Sequence, residues 1–268
     1  MNRFGPAPKK SLGQNFLRDA NIARKIINAL DLRESDWVLE IGPGHGALTR
    51  LIQPKVKRYI GVELDDHLAE QLRNEFNAKP NFELHHTDFL SIDFSRLLAP
   101  DFKTKIVGNI PYHLTSGVIF KVIEQRHFFE NMTLMIQQEV AERVVAAPGS
   151  KLFGILSVLS QTFSLPTLLF TVSRHVFYPK PKVTSAVVQW QFENALYRLL
   201  DDEAGFMLMV KKLFQQRRKM LRTSLKYFYG NLPGLSGLPL DLSRRPEDLS
   251  IDEFLELWKV VSAVLTGR

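Results

Sequence analysis

The chain has 268 residues, enough for one large domain or two smaller ones, and its hydrophobic content of 45% supplies a core. A net charge of +7 points to an anionic partner. There is no cysteine, which excludes disulfides, thiolate zinc sites, Cys-ligated iron–sulfur clusters and any methyl transfer that needs a cysteine nucleophile.

In the first 30 residues, six Lys/Arg, Arg3 and Lys10 among them, face one acid, Asp19. Ser11-Leu12-Gly13-Gln14-Asn15-Phe16-Leu17 holds large apolar residues and a glycine, which a solvated tail would not need. Asp19 is a candidate cap for a helix with Ile22, Ile26, Ile27 and Leu30 inside. Trp37 to Ile41 is a short apolar run, a buried strand. It enters Gly42-Pro43-Gly44-His45-Gly46, and helical spacing resumes at Ala47 to Ile52. A strand, a glycine turn and a helix open the nucleotide site of a doubly wound α/β fold.

Two ligands compete for that turn. A dinucleotide asks for G-x-G-x-x-G/A and an acid about 20 residues on, and Glu63 is placed for it. S-adenosylmethionine (SAM) suits Glu40, two residues before the first glycine. A carboxylate there repels a diphosphate and attracts the cationic end of SAM. Pro43 also removes one backbone N–H from a phosphate cradle.

Further strands are predicted at Tyr59–Glu63, Phe82–His86, Lys105–Gly108, Met132–Gln137, Leu168–Val172 and Ser185–Phe192, with helices between most of them. The last two come close together and can include an antiparallel strand. Gly42, Glu63, Asp88 and Asn109 then fall at the ends of strands one to four, where such sheets bind ligands. From about residue 200 only helical patterning remains. Ser250-Ile251-Asp252-Glu253 forms a capping box there. The expected domains are 1–199 and 200–268.

Glu63 is positioned to accept ribose hydroxyls, and Asp88 to accept from an adenine amino group. Asp88 also suits a turn or helix cap. Asn109-Ile110-Pro111-Tyr112 carries the clearest chemistry. An aromatic amine is a poor nucleophile, because its lone pair is delocalised into the ring. A site that methylates it needs acceptors for the N–H hydrogens and a stacking surface. Asn109 offers a side-chain carbonyl, Ile110 a backbone carbonyl set by Pro111, and Tyr112 a ring. Phe177 in the Pro-rich loop 176–185 is a candidate second wall.

Lys211 to Lys226 holds seven cations and no acid. At 100° per residue, Phe206, Val210, Leu213, Phe214, Leu221 and Phe228 share one helical face. Lys211, Lys212, Arg218, Lys219, Arg222 and Lys226 lie on the other, which suits RNA phosphates or a merely solvated face. Arg217 falls on the apolar side, so it is expected to be structural and paired with an acid. The seven histidines show no metal-ligand spacing, and no metal is expected.

These motifs together resemble the ribosomal RNA adenine dimethyltransferase family over nearly the whole chain. The resemblance rests on Leu12 to Leu17, Glu40 to Gly46, Asn109 to Tyr112, Phe177 to Ser185 and Phe214 to Leu225. It implies a Rossmann-like seven-stranded SAM-dependent domain and a small all-helical C-terminal domain. It implies dimethylation of the N6 amino groups of two adjacent adenosines near the 3′ end of small-subunit (16S) rRNA, on assembling subunits in ribosome biogenesis. SAM contacts carry over to Asn15, Leu17, Gly42, Glu63, Asp88 and Asn109, and the adenine pocket to Asn109, Tyr112 and Phe177. Relatives that methylate large-subunit rRNA or act in mitochondrial transcription keep a changed target open. A subunit-assembly factor with incidental methylation is a second reading, and a nicotinamide-dependent dehydrogenase a third. No apolar run approaches the roughly 18 residues of a membrane span, and the start lacks a signal-peptide core. A cytoplasmic, membrane-free monomer is expected.

Overall fold

The computed structural model describes residues 8–9, 12–99, 101–193, 196–237 and 240–266. Arg3, Lys10 and Ser11 lie outside the described residues. The chain divides into two compact units, Met1–Ala141 with Pro166–Phe192, and Glu142–Leu165 with Glu193–Arg268. This division does not follow the expected boundary between 199 and 200. The chain enters the second unit at 142, leaves it at 165 and returns at 193.

The first unit opens with β1 (Phe16–Leu17) and α1 (Ala20–Ala29). Asp19 caps α1 as expected, accepting from the N–H groups of Asn21 and Ile22 at 2.8 and 3.0 Å. β2 (Trp37–Ile41) passes through the glycine turn into α2 (Thr49–Ile52). Then come β3 (Arg58–Glu63), α3 (Asp66–Phe76), β4 (Phe82–His86), α4 (Phe94–Leu97), β5 (Thr104–Asn109), α5 (Thr115–Glu124) and β6 (Phe129–Gln137). α6 (Gln138–Val144) and α7 (Ile155–Phe163) lead to β7 (Leu165–Val172), β8 (Phe177–Tyr178) and β9 (Ser185–Gln191). All seven strands foreseen from periodicity are present.

The seven-stranded sheet has the order β4-β3-β2-β5-β6-β9-β7. β2 pairs in parallel with β3 on one side and β5 on the other. The strand order therefore reverses beside β2, which opens a crevice at its carboxyl end. β9 is the antiparallel strand, paired with β6. A separate two-stranded ribbon joins β1 to β8 with Phe16 opposite Tyr178 and Leu17 opposite Phe177. Two residues carry no readable periodicity, and this ribbon was not foreseen.

The second unit holds α7, α8 (Glu203–Gln215), α9 (Leu221–Tyr229) and α10 (Ile251–Thr266). Its core includes Phe206 and Trp258, with ring centroids 6.3 Å apart, and Phe214 stacked on Phe254. Gly205 permits that approach, since a Cβ there would lie 2.4 Å from the Trp258 ring. Ser250 and Glu253 cap α10 reciprocally at 2.7 and 3.2 Å. The single basic helix expected across 211–226 is corrected to two helices. Leu221 and Arg222 donate their N–H groups to the carbonyls of Arg244 (2.8 Å) and Leu242 (3.1 Å), so α9 starts on partners from a distant loop. Arg217, in the turn between them, is ion-paired with Glu247, as its place on the apolar side predicted.

Candidate active site

One cavity of the first unit lies at the carboxyl ends of β2, β3 and β5. Asn15, Leu17, Gly42, Glu63, Asp88, Asn109, Ile110 and Tyr112 all line it. Strands one to four and the opening segment thus meet at a single site.

The glycine turn decides between the two ligands. Gly42, Gly44 and Gly46 have φ of +62°, +59° and +76°, which disfavours any side chain. The Gly42 N–H donates to Val62 O at 2.9 Å, Gly44 to Glu63 Oε2 at 2.9 Å, and Gly46 to Pro43 O at 2.9 Å. Pro43 has no N–H to offer. With these amides engaged internally, the turn is a poor cradle for a diphosphate. A Cβ added at Gly42 would meet no protein atom within 4 Å, so the glycine leaves room for a ligand against the backbone.

Glu63 is 5% exposed and braces this turn. Its second oxygen accepts from the Asp65 N–H at 2.9 Å. Burial raises its pKa, against the lowering by the Asp65 and Gly44 amides. Glu40, 2% exposed, accepts on Oε2 from Tyr59 (2.7 Å) and Thr49 (2.8 Å). Among the described residues Oε1 takes no hydrogen bond, and Glu40 lines the cavity. Burial pushes its carboxyl up to about 7, although both hydroxyls oppose the shift. Asp88 serves both readings made of it. Oδ1 caps the following turn through the Leu90 N–H at 2.9 Å, and the residue lines the cavity.

Asn109 ends β5. Its Nδ2 donates to the Asn15 carbonyl at 2.7 Å, and that acceptor fixes which way the amide faces. Oδ1 has no partner among the described residues, and neither has the Ile110 carbonyl. Ile110 itself is held by its N–H to Met135 O at 3.2 Å. Both residues line the cavity, so two acceptors without a protein partner belong to consecutive residues of its wall. Tyr112 is held by its hydroxyl, 3.0 Å from Ser185 Oγ.

Phe177 departs from expectation. It is 5% exposed and sits in the apolar cluster with Leu17, Ile27 and Val187, not on the cavity wall. In the ribbon Phe177 stands opposite the buried Leu17, and alternation leaves the next residue, Tyr178, exposed. Phe16, tilted on His45 at 4.2 Å between ring centroids, does line the cavity. Periodicity gave no reason to single it out. No cluster of three or more His/Asp/Glu that could hold a metal occurs among the described residues.

A Rossmann-like sheet, an acid before the glycine turn, an acid ending the next strand, and an Asn-x-Pro-Tyr edge beside them define an amino-group methyltransferase of the SAM-dependent class. The model of the family described as ribosomal RNA adenine dimethylase matches residues 6–261, and the chain belongs to that family. Ribosomal RNA small subunit methyltransferase A of Chlorobium phaeobacteroides strain BS1 is 47% identical over 253 residues, covering 94% of this chain and 93% of that protein. The same-named protein of Phocaeicola vulgatus is 41% identical, covering 97% and 92%. A dimethyladenosine transferase from Plasmodium falciparum superposes with a TM-score of 0.78 at 26% identity, covering 94% and 98%. The 23S rRNA methyltransferase ErmE gives 0.69 at 26% identity, covering 92% and 99%.

Proposed function

We propose that this protein dimethylates the N6 amino groups of two adjacent adenosines near the 3′ end of small-subunit rRNA, as a cytoplasmic monomer acting on assembling subunits. The observation that carries the chemistry is the Asn109 amide, turned by Asn15 so that its oxygen is left for an amino group beside the Ile110 carbonyl. Small-subunit enzymes among the relatives at 40–47% identity favour that target over the large subunit. Among the described residues no helix is long and apolar enough to cross a membrane.

SAM supplies an electrophilic methyl group on a sulfonium. Glu40 would face its cationic end, Glu63 its ribose and Asp88 its adenine, with Asn15, Leu17 and Gly42 completing the wall. Asn109 and Ile110 would accept the N–H groups of the target amine and stabilise positive charge growing on nitrogen. Tyr112 would hold the base in line. As the new C–N bond forms the C–S bond breaks, and the nitrogen then releases its proton to water, so no tuned base is required. Labelled SAM with immature small subunits, followed by nucleoside analysis, should give N6,N6-dimethyladenosine. Label found only in large-subunit RNA, or no dimethyladenosine, would overturn the proposal.

Glu40 sets opposite pH trends. A cationic donor prefers the carboxylate, so SAM affinity should rise from about pH 6 to about pH 8, and Glu40→Gln should flatten the profile. The empty fold behaves otherwise. A carboxyl whose pKa is raised on folding keeps its proton where the unfolded chain has lost it. Stability of the ligand-free protein should fall as pH rises from 4.5 through about 7. Calorimetry and thermal melts in one buffer series check both signs, and parallel trends would contradict the assignment.

Lys211, Lys212, Arg218, Lys219, Arg222 and Lys226 are proposed as phosphate contacts of the helical unit. Arg218, Lys219, Arg222 and Lys226 are exposed, while Lys211 and Lys212 are half-buried. Lys212 lies 4.8 Å from the Tyr229 ring centroid. Arg218→Glu with Lys219→Glu should weaken RNA binding and flatten its salt dependence, by about 0.7–0.9 in log–log slope per lost contact. SAM binding should not change. An unaltered slope would make these cations a solvated face.

A further inference from the structure

The first unit carries its own basic and aromatic surface beside the cavity, on residues the sequence reading left without a role. Tyr178 is 47% exposed, and the Arg18 guanidinium carbon lies 3.9 Å from its ring centroid. The Arg18 backbone N–H donates to Val176 O at 2.8 Å, which extends the main-chain pairing of the ribbon by one residue. From 173 to 184 the chain holds Arg174, Lys180 and Lys182 and no acid, and all three cations are exposed. The loop is folded on itself, with Arg174 Nη1 donating to Lys182 O at 3.4 Å. Pro179 and Pro181 bracket Lys180 and restrict the backbone there.

This surface is fastened to the cavity at both ends. Tyr178 pairs with Phe16, and Phe16 lines the cavity. Seven residues on, Ser185 holds the hydroxyl of Tyr112, which also lines it. An RNA strand that delivers a base to Tyr112 therefore meets a ribbon and loop joined to two walls of that same cavity. Exposed rings with interleaved cations are how proteins hold single-stranded RNA, the ring stacking a base and the cations tracking phosphates.

We infer that Tyr178, Arg18, Lys180 and Lys182 form a subsite of the first unit for the nucleotide adjacent to the adenosine in the cavity. The inference rests on the RNA reading above and adds a contact surface outside the helical unit. Tyr178 stacks the neighbouring base, Arg18 holds the ring and adds its charge, and the two lysines contact the flanking phosphates. The subsite explains physically how a second adenosine is kept in place while the first is modified.

The test uses the full-length enzyme and small subunits reconstituted with rRNA in which the neighbouring adenosine is intact or abasic. Tyr178→Ala should raise KM for intact subunits about 5- to 150-fold, the span of losing one base–aromatic stack. SAM affinity should stay at the wild-type value, and Tyr178→Phe should restore KM. The abasic substrate should cost wild type a similar factor and cost Tyr178→Ala little more, because both changes remove one contact. Lys180→Gln with Lys182→Gln should flatten the salt dependence by about 1.4 in slope. The inference is overturned if Tyr178→Ala leaves KM unchanged, or if the abasic and Tyr178→Ala effects simply multiply. Should Tyr178→Ala also lose SAM, the lysine variant decides, and an unchanged slope there overturns it. Wild-type enzyme that forms no dimethyladenosine on intact subunits would instead sink the RNA reading itself.

Discussion

Asn109→Ala is expected to lower the rate of methyl transfer by about 10²–10³, the cost of losing one preorganised polar group at a centre of developing charge. The loss should persist at saturating SAM and saturating subunits, in a single-turnover assay. Two effects combine in it. Oδ1 no longer accepts from the amine, and the Asn15 carbonyl loses its 2.7 Å donor, so the wall shared with the opening segment loosens. Asn109→Asp should not rescue, because a carboxylate has no proton to give Asn15 and would repel its carbonyl. A near-normal Asn109→Asp rate would show that the acceptor alone matters. Tyr112→Ala should also lose rate, while Tyr112→Phe should keep most of it. The ring does the positioning, and the hydroxyl only ties it to Ser185. If Tyr112→Phe were as inactive as Tyr112→Ala, the hydroxyl would be a participant and the stacking account wrong. The same Asn109→Ala variant separates enzyme from assembly factor: full rescue of subunit assembly in cells lacking the protein would make binding the dominant role.

Glu63→Ala is expected to weaken SAM binding by about 1–3 kcal/mol, the range for deleting a charge-assisted acceptor. It should lower the melting temperature of the empty protein as well. The Gly44 and Asp65 amides both donate to this carboxylate, and truncation leaves them without an acceptor in a buried place. Glu63→Gln should fall between, since its amide oxygen can accept from one of those groups while its NH2 faces the other. Calorimetry with SAM and a melt of the free protein measure the two losses separately. Normal SAM affinity in Glu63→Ala would remove this residue from the ribose site.

The turn-bracing role of Glu63 marks where sequence reasoning stops. Its position at a strand end was legible from the apolar run before it. Its bonds back to a glycine 19 residues earlier needed the parallel register of β2 and β3. The same holds for Asn109, whose chemistry was legible in Asn-x-Pro-Tyr, while its orienting partner, a backbone carbonyl 94 residues away, was not. Phe177 shows the opposite failure. Its motif was visible, but the face it occupies depends on a two-residue pairing too short to imprint a period. The break near 216–220 was hidden because apolar spacing continued across it, and only the donors at Leu221 and Arg222 mark it. Arg217 was legible because a cation on an apolar face requires a partner. That α7 belongs to the second unit was invisible, since its apolar face fits any apolar neighbour.

The ribbon of β1 and β8 has a thermodynamic consequence. A ladder of two residue pairs has almost no cooperativity of its own. One strand borders the donor cavity and the other begins the basic loop, so any coupling between donor and RNA through this surface would pass across two residue pairs. Reciprocity then obliges the two affinities to change by one common factor, whichever ligand arrives first. Donor titrations with and without bound subunits, and subunit titrations with and without donor, must return that same factor.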